Sequence, residues 1–252
     1  MEIQTASGVA VLVMRAGKAN AIGSAFLDRL SAQLDAVEAS QAGALVVTGE
    51  GRAFSAGLDL PEVAGLDRGS LERFIRRFSE VMLRLFTLPL PVVAAINGHA
   101  IAGGCVLAMQ ADARIAATGD YRIGLNEVAI GLSLPAVVLE TLRCQVSPGS
   151  VSPVALEGRL LSPEEALRLG LVEAVVPPAV LLEQARGRAA ELAALPRPSF
   201  RDVKEALRGP VAAAVRRAGR HDARRWVETA FSPAARERLE EVLSRLTRPR
   251  ER

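Results

Sequence analysis

One segment, Asn97-Gly-His-Ala-Ile-Ala-Gly-Gly-Cys-Val-Leu-Ala-Met-Gln-Ala-Asp112, constrains this chain more than any other. It follows a short apolar run, residues 91–96, that reads as a buried strand. After the paired glycines the pattern turns helical, with Val106, Leu107 and Met109 apolar. A strand that ends in a glycine turn and opens a helix presents free backbone N–H groups at a positive helix end. Such a turn can hold an anion, including one that exists only in a transition state. Glycine is needed there because a Cβ would block close approach of the ligand.

A second stretch, Arg52-Ala-Phe-Ser-Ala-Gly-Leu-Asp-Leu60, follows the same logic. It comes after a strand-like run at 44–48, and Ser55, Ala56 and Gly57 leave backbone open where bulkier residues would cover it. The two turns, in this order and about 45 residues apart, resemble the enoyl-CoA hydratase/isomerase (crotonase) family. The resemblance extends over nearly the whole chain. It includes Asn20-Ala-Ile, the segment Leu161-Ser-Pro-Glu-Glu-Ala-Leu-Arg-Leu-Gly-Leu-Val172 and the Pro177-Pro178 pair.

At 252 residues, half of them hydrophobic, the chain can bury a sizeable core. No apolar run reaches the length of a membrane span, and Met1-Glu-Ile-Gln does not read as a signal sequence. Cys105 and Cys144 form no metal-type pair, which fits a reduced cytoplasmic protein. From residue 201 onward, 14 Arg and Lys face 8 Asp and Glu, so this last part carries +6 and the remainder −3. These charges interleave on helical patterns, the arrangement of a solvated helix face, and argue against a nucleic-acid groove binder.

The element pattern predicts strands at 2–4 and Val9–Met14, then a helix capped by Ser24 with the stripe Phe26, Leu27, Leu30, Leu34 and Val37. Ser70 is expected to start an amphipathic helix through Leu85, and Ser162-Pro-Glu-Glu165 forms a capping box. The order repeats as ββα, which favours an α/β spiral over a doubly wound sheet. No Gly-x-Gly-x-x-Gly follows any strand, so dinucleotide binding is set aside. Pro196–Pro198 mark a boundary between a spiral core, 1–195, and a helical C-terminal region, 196–252.

The resemblance implies an acyl-CoA thioester as substrate, coenzyme A entering as part of it and no permanently bound cofactor. It implies an oxyanion hole from the backbone N–H groups of Leu58 and Gly103, with Lys18, Asn20, Ala21, Ala56, Gly57, Asp59, Leu60, Gly104 and Val106 around the substrate. Hydratases of the family carry two glutamates that activate water. The first falls here on Val106 and the second on Glu127, in Ile123-Gly-Leu-Asn-Glu-Val. One base suffices to move a proton from C2 to C4, so the chain looks more like a Δ3-Δ2-enoyl-CoA isomerase than a hydratase. The alternatives are a hydratase-like or other crotonase reaction, or a non-catalytic acyl-CoA-binding or RNA-binding member. Enclosed by Leu125, Val128 and Ile130, Glu127 should have a raised pKa. Its bland alternative is a surface or helix-capping carboxylate.

Other polar residues have structural readings beside functional ones. Asp59 suits a loop-holding role, Glu140 a solvated helix face, and Lys18 either a CoA-phosphate contact or an exposed lysine. Dienoyl-CoA isomerases add an aspartate eight residues beyond the base, where this chain has Pro135. His99 shows no evident partner, and with His221 it suggests no metal site. Trp226, Phe231, Leu239, Val242, Leu243 and Leu246 are read as an apolar stripe exposed for assembly. The resemblance implies a homotrimer or a dimer of trimers built by these C-terminal helices.

Overall fold

The computed structural model describes the backbone of residues 1–17 and 19–247, and the side chains of all of these but 246 and 247. Strands β1 (Glu2–Ala6) and β2 (Val9–Met14) pair antiparallel. Their tight turn uses Ser7 and Gly8, both at positive φ (51° and 77°). The later strand-to-strand pairings among the described residues are parallel, beside one isolated antiparallel bridge, Ile123 with Leu161. β3 (Ala44–Gly49), β5 (Val92–Ile96), β7 (Ala113–Ala117) and β9 (Ala174–Val176) extend the first sheet in the order β1-β2-β3-β5-β7-β9. The short strands β4 (Ala53–Ser55), β6 (His99–Ile101) and β8 (Ile123–Gly124) form a second, parallel sheet. From β3 to β8 successive strands alternate between the two sheets, and helices link the turns, the ββα spiral expected from the sequence.

Helix α1 (Ser24–Ala39) buries Phe26, Leu27, Leu30, Leu34 and Val37, the predicted stripe. Ser24 is not its cap. Gly23 precedes the helix without a side-chain cap, and the Ser24 N–H instead donates to the Glu62 carboxylate at 3.0 Å. A longer acidic side chain from another segment has taken the role that a local hydroxyl was expected to fill. The short α2 (Leu60–Ala64) supplies Glu62, and α3 (Arg68–Phe86) follows. Helix α3 starts earlier than predicted because Asp67 caps it, accepting from the Ser70 N–H at 2.7 Å. Helices α4 (Gly103–Met109), α5 (Ala136–Gln145), α6 (Pro148–Leu156) and α7 (Pro163–Arg168) complete the spiral. The predicted capping box opens α7, with both reciprocal bonds present.

The first sheet is covered on both faces at its centre, which explains why β3, β5 and β7 are buried along nearly their whole length rather than on alternate residues. One face joins the main core with α1 and α3. The other is covered by α8 (Leu181–Ala193), whose Leu181, Ala185 and Ala189 pack on Val11, Val46, Val93 and Ile115. The small alanines let the helix lie close to the sheet.

Two further helices, α9 (Arg197–Ala230) and α10 (Pro233–Thr247), form the C-terminal region. Part of its basic charge is internal. Lys204 donates to Asp112 at 2.7 Å and to the Leu90 carbonyl at 2.9 Å. Arg208 pairs with the same carboxylate at 2.9 Å and also donates to the carbonyls of Phe86, Gln110 and Ala111, at the C-terminal ends of α3 and α4. A cation at a helix C-terminus meets both free carbonyls and the negative end of the dipole. This cluster ties α9 to the core.

The C-terminal helices also depart from the expected exposed stripe. Trp226 is 3% exposed within the single chain, and Phe231, Leu239, Val242 and Leu243 are half-buried. The helices fold back on their own core because α9 breaks at Gly219 (φ 45°, ψ −128°), a conformation that favours glycine. The Leu246 side chain lies outside the described residues.

Candidate active site

The two glycine turns meet face to face. A Cβ placed on Gly57 would lie 3.2 Å from the Gly103 nitrogen, and one on Gly103 would lie 3.4 Å from the Leu58 nitrogen. The Gly57 conformation (φ 92°) also favours glycine. Leu58 forms a parallel bridge with Ile22, made by Ile22 N–H to the Gly57 carbonyl (2.8 Å) and Asp59 N–H to the Ile22 carbonyl (3.0 Å). In such a bridge the central residue's own N–H points to the other side. Gly103 is the first residue of α4, where no intrahelical acceptor exists. Among the described residues, neither N–H has a backbone or side-chain acceptor.

Ala102, just before α4, holds φ 49° and ψ −120°, a conformation that costs a non-glycine residue about 1–3 kcal/mol. Its N–H donates to the Gly124 carbonyl at 2.8 Å and its carbonyl accepts from Val106 at 2.9 Å, so neighbouring strand and helix impose the turn. Gly104 is packed rather than exposed to the cavity: a Cβ there would come within 2.1 Å of the Ser55 carbonyl oxygen.

Both turns open onto a cavity of 430 Å³. Leu58, Gly103, Ala21, Ala56, Asp59, Leu60, Val106 and Glu127 of the predicted set line it. Asn20 does not. It is fully buried, accepts from the Ala16 N–H at 2.9 Å and donates to the Ala53 carbonyl at 3.1 Å, while its own carbonyl accepts from the Ser55 hydroxyl. Asn20 therefore braces the loop before the first turn. Gly57 and Gly104 likewise act by letting backbone segments approach, and neither is in the cavity wall. Lys18 lies outside the described residues.

Glu127 stands just before a short 3-10 turn, Val128–Ile130, and its carbonyl accepts from the N–H groups of Ile130 and Leu132. The residue is 8% exposed, and its Oε2 has no hydrogen-bond partner. Burial raises its pKa from the ordinary 4.5 to about 7. The enclosure differs in one respect from the sequence reading: Leu125 is buried and Ile130 lines the cavity, but Val128 is 44% exposed. A short 3-10 turn sends consecutive side chains to different sides, so Val128 points away while Glu127 faces in. A buried carboxylate oxygen without a partner is rare enough to require explanation.

The remaining carboxylates have other work. Asp59 lines the cavity but caps α2, accepting from the Glu62 N–H at 3.2 Å. Glu140 pairs with Arg143 at 2.7 Å on an outer face, as the solvated reading expected. His99 has a partner after all: its Nδ1 accepts from the Arg122 N–H at 3.1 Å, and its ring meets Tyr121 edge-on. Among the described residues, no group of three or more His, Cys, Asp or Glu is placed to hold a metal ion, and no helix is long and apolar enough to cross a membrane.

Sequence reasoning did not place Asn126, Trp226 or Val242 in the cavity wall, and within 66–86, the region on which pocket depth depends, it singled out neither Ile75 nor Phe78. Asn126 had one usable signal, its position beside the candidate base, and its Oδ1 is also buried without a partner. The others come from helices distant in sequence, and their positions here depend on packing.

A sequence model of the family described as enoyl-CoA hydratase/isomerase matches residues 4–244. Human mitochondrial enoyl-CoA delta isomerase 1 is 33% identical over 199 residues, 78% of this chain and 66% of that protein. A probable enoyl-CoA hydratase of Rhizobium meliloti is 34% identical over 209 residues, covering 81% of this chain and 79% of that one. The crystal structure of human mitochondrial delta3-delta2-enoyl-CoA isomerase superposes with a TM-score of 0.93 over 97% of both chains, at 29% identity. On the match over nearly its whole length and on the shared ββα spiral, this chain belongs to the enoyl-CoA hydratase/isomerase family.

Proposed function

We propose that this protein shifts the double bond of a 3-enoyl-CoA to give the 2-trans-enoyl-CoA, with Glu127 as the single acid/base. The observation that carries the reading is the buried Glu127 carboxylate, its Oε2 without a partner, in a cavity where the other carboxylate, Asp59, caps α2 and Val106 stands in place of a second glutamate. The thioester oxygen would accept from the N–H groups of Leu58 and Gly103. Glu127 removes a proton from C2, the negative charge spreads from the thioester oxygen to C4, and the same carboxyl returns the proton at C4. The double bond then lies between C2 and C3, and no atom is gained or lost. Two fixed donors stabilise the developing oxyanion, each worth about 10²–10³ in rate.

A pKa near 7 suits this shuttle, because the base must take a proton and give it back at neutral pH. Coenzyme A enters only as part of the substrate. A homotrimer or dimer of trimers is part of the same proposal, but its support moves to α9. Val203 and Leu207, four residues apart on that helix, are 60% and 67% exposed and would be covered by a neighbouring copy.

The relatives carry both isomerase and hydratase names, so the test measures both reactions with one preparation. Purified protein is expected to isomerise 3-enoyl-CoA and to hydrate 2-trans-enoyl-CoA far more slowly. Hydration at a rate comparable with isomerisation would overturn the single-base reading.

A further inference from the structure

The cavity is closed by the chain's own C-terminal helices. Trp226 of α9, the only tryptophan of the sequence, and Val242 of α10 share its wall with Ile75 and Phe78 of α3. This wall is fastened at several points to the segment that follows Glu127. The Asp222 carboxylate accepts from the Ala136 N–H at 2.7 Å, capping α5 from outside, and the Thr229 hydroxyl accepts from the Ser133 N–H at 3.2 Å. At Gly131 the contact with α10 is so close that a Cβ would lie 2.9 Å from the Ala235 Cα. Trp226 cannot withdraw without disturbing these attachments, since packed interiors yield little to added volume.

We infer that Trp226 sets the upper limit on the length of acyl chain that this cavity accepts. The inference rests on the acyl-CoA reading above and adds what that reading leaves open, the substrate's chain length. Three features carry it. The cavity volume of 430 Å³ is near the lower end of the range of about 300–1,000 Å³ for small-molecule sites. The indole is the largest side chain in the wall, and it is almost fully buried. Its helix is anchored to the loop that carries the candidate base, so the wall and Glu127 hold a fixed relation. An acyl chain that ends against Trp226 fills the site, and a longer one must displace it. A methylene that a pocket cannot accommodate costs about 10–200-fold in kcat/KM.

The test compares hexenoyl, decenoyl and hexadecenoyl thioesters of coenzyme A, each with the 3-enoyl double bond, in the wild type and in Trp226→Ala, Trp226→Phe and Val242→Ala. Far-UV circular dichroism and a thermal melt verify folding. Trp226→Ala is expected to raise the ratio of long-chain to short-chain kcat/KM by about tenfold or more. Val242→Ala should move it in the same direction by less, and it carries the test with Trp226→Phe if the alanine variant at 226 does not fold. An unchanged ratio in the folded variants would overturn the inference. If the wild type isomerises none of the series, the proposed reaction fails, and calorimetric titration with saturated acyl-CoAs of the same lengths reads the limit directly. Affinity that falls off with length in the wild type but not in the variants supports the inference, and parallel profiles refute it.

Discussion

Replacing Glu127 by Gln should stabilise the fold while removing activity, and the two effects should follow the same titration. The wild-type carboxyl is buried with its Oε2 unpartnered, and burial raises its pKa from 4.5 to about 7. At roughly 1.4 kcal/mol per pH unit, keeping it ionised inside the fold costs about 3 kcal/mol. The sign follows from proton binding. Below the unfolded value both states are protonated and nothing is lost. Between 4.5 and about 7 the folded state holds a proton that the unfolded state has released, so stability falls as pH rises. Above that window the penalty is complete. Glutamine does not titrate, so the stability difference between Glu127→Gln and wild type should shift by about 3 kcal/mol in the variant's favour across this window. For a chain of this size that is about 6–12 °C in melting temperature. Urea or thermal unfolding at pH values on either side of the window measures it. Isomerase turnover of the same variant should fall by about 10²–10⁴-fold, and wild-type kcat/KM should rise with pH through about 7 before levelling. Stability curves that run parallel for the two proteins would show that Glu127 is solvated, and the account of it as a tuned base would fail.

Val106→Glu places a second glutamate in the same cavity and should raise hydration of 2-trans-enoyl-CoA at least about tenfold, read by loss of enoyl absorbance; no gain would refute the water-positioning account. Asp112→Asn removes the carboxylate between Lys204 and Arg208, leaves two buried cations without their counter-charge, and should destabilise the protein by about 3–5 kcal/mol in urea unfolding; a loss below about 1 kcal/mol would mean that the carbonyl partners suffice. Light scattering at micromolar concentration should give three or six times the chain mass, and Val203→Glu with Leu207→Glu should shift it toward one. A stable, fully active single chain in the wild type would refute the assembly. Removing everything after Pro196 should yield insoluble protein, since it deletes Lys204, Arg208 and Trp226 together; a soluble, active fragment would show that the core closes its own cavity.

Much of this protein could be read from local pattern. The ββα order follows from apolar runs and helical stripes, and these survive because each depends on residues close in sequence. The two glycine turns could be located for a similar reason. A turn that must expose backbone needs small residues at fixed places, as at Gly57, Gly103 and Gly104. The family resemblance singled out Glu127 and Val106, and the fold brings both into one cavity. Local reading failed where a partner arrives from elsewhere. Ser24 looked like a helix cap until Glu62, 38 residues away, took its N–H, and no local pattern showed that the Asn20 amide would bond to Ala16 and Ala53.

Only the tertiary structure decided what closes the cavity. The sequence shows that Trp226 and Val242 are apolar, and an apolar side chain can be buried equally well against its own core or against another copy. The choice depends on the break at Gly219, on the buried attachment through Lys204 and Arg208, and on the contacts of Asp222, Thr229 and Ala235 with the segment after Glu127. Each of these joins residues about 90 or more apart in sequence or sets the direction of a whole helix. Periodicity carries no information about such pairings, because hydrophobic attraction has no direction and only packing geometry selects the partner.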